Sequence, residues 1–287
     1  MGAIYKREIK ACFSSMIGYV VIAYMLFIVG VGFWYVNLSC QDASIGNTLN
    51  SISFWYTLAI PLLTMRLLAE EQKQKTDQLL FSSPVTVTDV ILGKYLAVVS
   101  IYTIPILGIC TMPLVLSRYG TVSFVQSYTS ILAYWMLGCV LLAIGLLISA
   151  MTDSQIIAAI LSFAVVIVLS LMPTVASVVP STALASLVGI TVLIFLLACF
   201  FYIFVKNIIV SGAIFVIGEA VLVTIYAMKG EMMDTALSTV VSSVSFYTRF
   251  SNFLSGTFSI SSVVYYVSFA ALFLYLATQV VQKRRWS

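Results

Sequence analysis

The sequence predicts an all-α protein: a polytopic transmembrane helical bundle of about eight spans, opened by an amphipathic interfacial helix and carrying a short helix in a cytoplasmic loop. Three observations predict it. The 287 residues are 62% hydrophobic, only 8% are charged, and long apolar runs recur from end to end. Soluble domains carry about 25% charged residues, so this chain has too few charges to cover a water-exposed surface. A mean hydropathy of +1.11 agrees.

Crossing the hydrocarbon core takes about 20 mostly apolar residues in a helix, because the backbone polar groups must be satisfied internally. Eight stretches qualify: Met16 to Tyr35, Ile52 to Leu68, Val90 to Leu116, Tyr128 to Ala150, Gln155 to Met172, Ala183 to Val205, Ile208 to Met228 and Val263 to Val281. Pro105 and Pro113 predict a kink in the third. Six spans is the alternative, in which the two runs joined only by Lys206 and Asn207 form a re-entrant hairpin. The whole of 1–287 reads as one transmembrane domain.

Basic residues are retained on the cytoplasmic side. With the amino terminus inside, eleven of the fourteen Lys and Arg fall inside, leaving Arg118, Lys229 and Arg249 outside. Both termini are therefore expected in the cytoplasm, in a multi-pass protein of the cell's inner membrane. The basic residues flank apolar segments, which reads as topology rather than nucleic-acid binding.

Composition also excludes chemistry. The chain has no His, which removes imidazole bases and nucleophiles, and with them His-ligated metal sites. Its five cysteines are scattered without a CxxC pair. A phosphate-cradling loop of the form GxxxxGK[ST] is absent: at the sole Gly-Lys pair, Gly93-Lys94, Thr88 stands in place of the first glycine and Tyr95 follows the lysine. No catalytic, cofactor-binding or metal-binding residue is expected in this chain.

Three segments outside the spans have their own character. In residues 1–14 and just beyond, Tyr5, Ile9, Cys12, Phe13 and Met16 fall on one helical face with Lys6, Arg7 and Lys10 on the other, an interfacial amphipathic helix. In the loop 69–89, Glu70, Glu71, Lys73 and Lys75 offer i,i+3 and i,i+4 pairs that would prolong the second span as a solvated stalk. Thr76 can cap a short helix through Asp77, Gln78, Leu79, Leu80 and Phe81, Ser83-Pro84 ends it, and Thr88 with Asp89 starts the next span. The exposed Leu79, Leu80 and Phe81 need either the lipid interface or a groove on another protein. Residues 229–262 are rich in Ser and Thr with Phe246, Tyr247, Phe250, Phe253 and Phe258 interleaved. This segment reads as short helices that close the outer mouth or dock an extracytoplasmic accessory domain, or as turns lying on the outer leaflet.

Glu219 is the one ionisable residue deep in a span and must face protein or water. It is either an interhelix polar contact or a lining group of a pathway. Small residues spaced by four, Gly145 with Ser149 and Ala158 with Ser162, permit close helix contact.

YKREIKACFSSMIGYV at the start, EEQKQKTDQLLFSSPVTVTDVILGKYLA in the loop and the closing QKRRW together resemble the type 2 ABC transporter permeases, in particular the gliding-motility and multicopper-enzyme-maturation branch. The resemblance implies that the first helix is a connecting helix. It also implies that the loop carries a coupling helix seated in a cleft of a separate ATPase subunit, which holds ATP and magnesium. A second permease copy or a paralogue completes the transporter, more often an exporter, and six spans is the family's usual count. The competing class is an ion-gradient-driven secondary transporter or channel using Glu219. An intramembrane lipid enzyme lacks the residues, since no His and no paired carboxylates occupy the spans.

Overall fold

The computed structural model describes residues 1–75, 86–178, 186–192, 194–195, 198, 212, 215–220, 222, 236–254 and 256–286. Every regular element among them is helical. In order the named α-helices are α1 (Gly2–Ser14), α2 (Met16–Gly32), continued by a π-helical segment (Phe33–Ser39), α3 (Ile45–Thr57), α4 (Ala59–Thr64), α5 (Ala69–Lys73), α6 (Val87–Ile109), α7 (Met112–Leu116), α8 (Phe124–Met151), α9 (Gln155–Val178), α10 (Ala236–Val244), α11 (Phe246–Leu254) and α12 (Ile260–Trp286), with further helical residues at 186–192 and 215–220. Among the described residues, five helical stretches are long and apolar enough to cross a membrane: Met16–Ser39, Val87–Leu116, Phe124–Met151, Gln155–Val178 and Ile260–Lys283. They coincide with the first, third, fourth, fifth and eighth expected spans. The sixth and seventh, Ala183 to Val205 and Ile208 to Met228, fall largely outside the described residues.

The second expected span, Ile52 to Leu68, takes a different form. Its helix begins earlier, at Ile45, where the Ser44 hydroxyl accepts from the Asn47 amide at 3.4 Å. It stops at Thr57 and restarts at Ala59. Pro61 explains the break, because it has no N–H to offer the Thr57 carbonyl four residues back. The third span behaves as its prolines demand. Pro105 is carried within α6, and the helix breaks at Cys110-Thr111, just before Pro113 starts α7.

The chain forms two compact units. The larger comprises Met1–Ser170 and Arg249–Ser287. Its hub is α8, 72% buried over its most apolar window against 17% for the corresponding window of α12, and α3, α4, α6 and α12 pack around it. Gly145 makes one of these approaches possible: a β-carbon there would lie 2.3 Å from the Thr64 hydroxyl of α4. The expected pairs of small residues are thus interior positions, with Ser149, Ala158 and Ser162 all buried. At the end where α8 begins, α11 docks on it. Gln126 Nε2 donates to the Leu254 carbonyl at 2.6 Å, Ser130 Oγ donates to the Phe253 carbonyl at 3.3 Å, and the Phe250 ring lies 5.6 Å from that of Tyr134.

The smaller unit, Leu171–Thr248, holds the end of α9, the helical residues 186–192 and 215–220, and α10. Gly189 lies so close to Leu237 of α10 that a β-carbon would stand 2.1 Å from its side chain. Gly218 approaches Ile194 in the same way, at 2.9 Å.

Candidate functional site

The helix α1 stops at Ser14, and Ser15 turns extended before α2 starts. That turn folds α1 back along α6. Ile4 and Cys12 are buried, and Glu8 lies between them at i+4 from each neighbour. The docked face is therefore Ile4, Glu8 and Cys12, rotated from the expected apolar face. Tyr5, Ile9 and Phe13 flank it half-buried, and Lys6, Arg7 and Lys10 are exposed. Met16 does not belong to this face: it begins α2 and is 84% exposed. The rotation has a physical cause, since Glu8 is the acid that a buried lysine of α6 requires. Tyr5 adds a second tie, its hydroxyl 2.9 Å from Ser100 Oγ.

That lysine is Lys94, two turns into α6, with a side chain only 1% exposed. Its ammonium donates to Glu8 Oε1 at 3.0 Å and to the Leu67 carbonyl at 2.8 Å, and lies 2.9 Å from Glu71 Oε1. Two of its protons go into hydrogen bonds, and the second carboxylate completes the neutralisation at ion-pair distance. Arg7, at the rim, donates to Glu8 at 3.1 Å and also to Glu71. Burial works to lower the Arg7 guanidinium, and the carboxylates of Glu71 and Glu8 outweigh it and hold it above its ordinary value. Two cations and two anions thus join α1, α5 and α6, and the desolvation of Lys94 is offset by two carboxylates and a carbonyl around its ammonium.

A second joint holds α5 to the end of α8. Ser149 Oγ accepts from the backbone amides of Leu68 and Ala69, each at 3.1 Å, and Gln72 Nε2 donates to the Ala150 carbonyl at 3.2 Å. Ser149→Ala leaves two buried amides without an acceptor, at about 1–3 kcal/mol each in the limit of no relaxation. The expected result is a loss of about 2 kcal/mol, read as a lower unfolding midpoint of the purified chain, while Ser51→Ala, at an exposed position inside α3, is expected to change stability by no more than about 0.5 kcal/mol.

The expected site residues are distributed as follows. Glu70 and Glu71 lie on α5, which is only five residues long. Among the described residues no ion pair joins them to Lys73 or Lys75, so the expected i,i+4 stalk is replaced by tertiary pairing of Glu71. Lys75 takes a left-handed conformation, φ 56°, that ends the helical turn. Thr76, Asp77, Gln78, Leu79, Leu80 and Phe81 lie outside the described residues. The cap of α6 is Thr86 rather than Thr88: its hydroxyl accepts from the Asp89 amide at 3.2 Å and donates to Asp89 Oδ2 at 2.6 Å. Glu219 lies within the helical residues 215–220, with Oε1 buried and without a hydrogen-bond partner among the described residues.

Sequence reasoning missed Glu8, Lys94 and Ser149 as partners. The available signal was a lysine seven residues into an apolar helix, which must find an acid, and Glu8 is the only acid near the amino terminus.

The model of the ABC-2 family transporter proteins matches residues 36–186, more than half of the chain. The chain belongs to the ABC-2 transporter family. Among curated proteins none matches. The matched stretch contains Arg66, Glu70, Glu71, Lys94 and Ser149, whereas α1, with Arg7 and Glu8, precedes it. As an ABC-2 protein with several apolar membrane helices, it is an integral membrane transport component, the permease part of an ABC transporter, in a family that is generally non-catalytic.

Proposed function

We propose that this chain is the membrane-spanning subunit of an ABC exporter of the gliding-motility and copper-enzyme-maturation branch. It lies in the inner membrane with both termini cytoplasmic, has eight spans, and forms the translocation path with a second copy or a paralogue. A separate ATPase subunit holds ATP and magnesium and drives it through Thr76 to Phe81, with α1 as the connecting helix in the lipid interface. Residues 229–262 close the outer mouth or receive an accessory domain.

The single observation that carries this reading is the anchoring of both sides of the loop. On one side, α5 is pinned to α8 by Ser149 and to α6 and α1 by Glu71. On the other, α6 begins at the Thr86 cap. A push on Leu79, Leu80 and Phe81 would therefore reach α1, α6 and α8 together rather than be absorbed by slack chain. The test is co-expression with the cognate ATPase: Leu79→Asp with Leu80→Asp is expected to abolish co-purification and transporter-stimulated ATP turnover while the chain still inserts and folds. Wild-type assembly and turnover in that variant would sink the coupling assignment.

One observation favours a second reading. The buried Oε1 of Glu219, without a hydrogen-bond partner among the described residues, suits a proton or cation site in an ion-driven transporter. That reading expects transport to persist without any ATPase and to stop in Glu219→Gln. The exporter reading expects no transport without the ATPase.

A further inference from the structure

Beside the four-charge cluster lies a cavity of about 400 Å³, lined among others by Ser15, Arg66 and Glu70. Arg66 and Glu70 stand four residues apart, the spacing at which opposite charges on a helix meet, yet no ion pair joins them. The chain between them is a turn, not a helix, with Leu68 at φ −120°. Arg66 donates from Nη1 to Ser15 Oγ at 2.8 Å and from Nη2 to Cys12 Sγ at 3.4 Å, both uncharged partners. Burial pushes the Cys12 thiol up, against the pull of Arg66, so the sulfur stays neutral. Glu70 receives a single long contact from Gln74 Nε2, at 3.4 Å. The remaining charges in the wall, Arg7, Glu8, Glu71 and Lys94, pair with one another. Among the described residues, the cavity therefore presents one cation and one anion without an ion-pair partner.

Its position narrows the ligand further. Ser15 is the residue from which the first span departs, and along that span Met16, Tyr19 and Val20 are 84%, 59% and 61% exposed. An apolar strip thus runs from a residue of the cavity wall along a membrane-crossing helix. We infer that the cavity binds a phosphoester bearing a neighbouring primary ammonium, the headgroup chemistry of phosphatidylethanolamine, with its phosphate on Arg66 and its ammonium on Glu70. The planar guanidinium matches two phosphate oxygens at once. A primary ammonium offers Glu70 hydrogen bonds that a trimethylated one lacks. The volume falls at the lower end of ligand pockets, about 300–1,000 Å³, and the apolar strip supplies a bed for the acyl chain. The inference rests on the chain being in a bilayer and is independent of the ATPase coupling proposed above.

The experiment uses the full chain, delipidated in detergent and exposed to equal amounts of phosphatidylethanolamine, phosphatidylcholine and phosphatidylglycerol, with retained lipid counted by native mass spectrometry. Wild type is expected to retain the ethanolamine lipid about tenfold over the choline lipid, the factor that one charge-assisted hydrogen bond supplies. Arg66→Gln is expected to lose the ethanolamine and glycerol lipids alike, and Arg66→Lys to keep part of both. Glu70→Gln is expected to lose only the preference for ethanolamine over choline. Because the only side-chain hydrogen bond of Glu70 among the described residues is the long one from Gln74, and glutamine keeps its size, that variant decides the matter even if Arg66→Gln fails to fold. Soluble glycerophosphoethanolamine competing at the same concentration as the lipid would keep the zwitterion site and assign it to a free ester. Equal retention of ethanolamine and choline lipids by wild type, or wild-type preference in Glu70→Gln, would overturn the inference.

Discussion

Lys94→Met is expected to destabilise the helical bundle by about 3 kcal/mol, the lower end of the range for removing one partner of a buried ion pair. The lysine is 1% exposed and its ammonium meets Glu8, Glu71 and the Leu67 carbonyl. Without it, two carboxylates that are each 15% exposed face one another, and the Leu67 carbonyl loses its donor. Arg7 still bridges both acids, but it is 54% exposed and solvent screens it, so it compensates only in part. Glu8→Gln or Glu71→Gln alone leaves the ammonium one charged partner, and each is expected to cost about 1–2 kcal/mol. Adding both substitutions to Lys94→Met removes the uncompensated charges and is expected to recover most of the loss. Unfolding midpoints of the four purified variants check the series. A loss under about 1 kcal/mol for Lys94→Met, the value of an exposed pair, would mean that the lysine does not sit among these acids.

That cluster also marks where the sequence stopped being legible. Glu70, Glu71, Lys73 and Lys75 have the spacing of a self-paired helix, and local pairs of that kind are worth only about 0.2–0.5 kcal/mol. A buried ammonium makes a much larger demand, and it recruits Glu71 away from its own helix and Glu8 into the docked face of α1. No periodicity in one segment reports a partner 86 residues away. The spans were legible for the opposite reason: at Met16, Val87, Phe124, Gln155 and Ile260 hydropathy alone decides the solvent. The second span blurred because Asn47, Asn50 and Ser51 dilute the hydropathy of a helix whose Ile45, Leu49 and Ile52 are nonetheless buried. Thr86 and Thr88 are equally good caps in sequence, and the burial of Val87 as the first helical residue separates them. Gly145 and Ser149 were legible as a small-residue pair. That Ser149 would use its hydroxyl to hold two backbone amides of the neighbouring turn was not, since the break that frees those amides is itself a tertiary feature.

Gly138→Ala is expected to cost about 3 kcal/mol, the upper end of the usual range for overpacking. A β-carbon on Gly138 of α8 would stand 2.1 Å from both Cζ and the hydroxyl of Tyr102 on α6. Tyr102 cannot swing aside cheaply. It is 1% exposed, its hydroxyl donates to the Tyr134 carbonyl at 3.2 Å, and the Tyr56 ring packs 6.0 Å away. Gly30→Ala in α2 is the internal control, because nothing lies within 4 Å of its added carbon. There the better helix propensity of alanine is expected to gain about 0.5–1 kcal/mol. Tyr102→Phe should not rescue Gly138→Ala, since Cζ remains at 2.1 Å, whereas Tyr102→Leu should relieve the collision and recover part of the loss. Equal midpoints for the Gly138→Ala and Gly30→Ala chains would show that α6 and α8 are not in this contact. The point bears on transport as well as on packing: Tyr56, Tyr102 and Tyr134 lock α3, α6 and α8 through one aromatic group. Under the coupling proposed above, force entering at the charged end of α6 would move three helices as one body rather than slide them past each other.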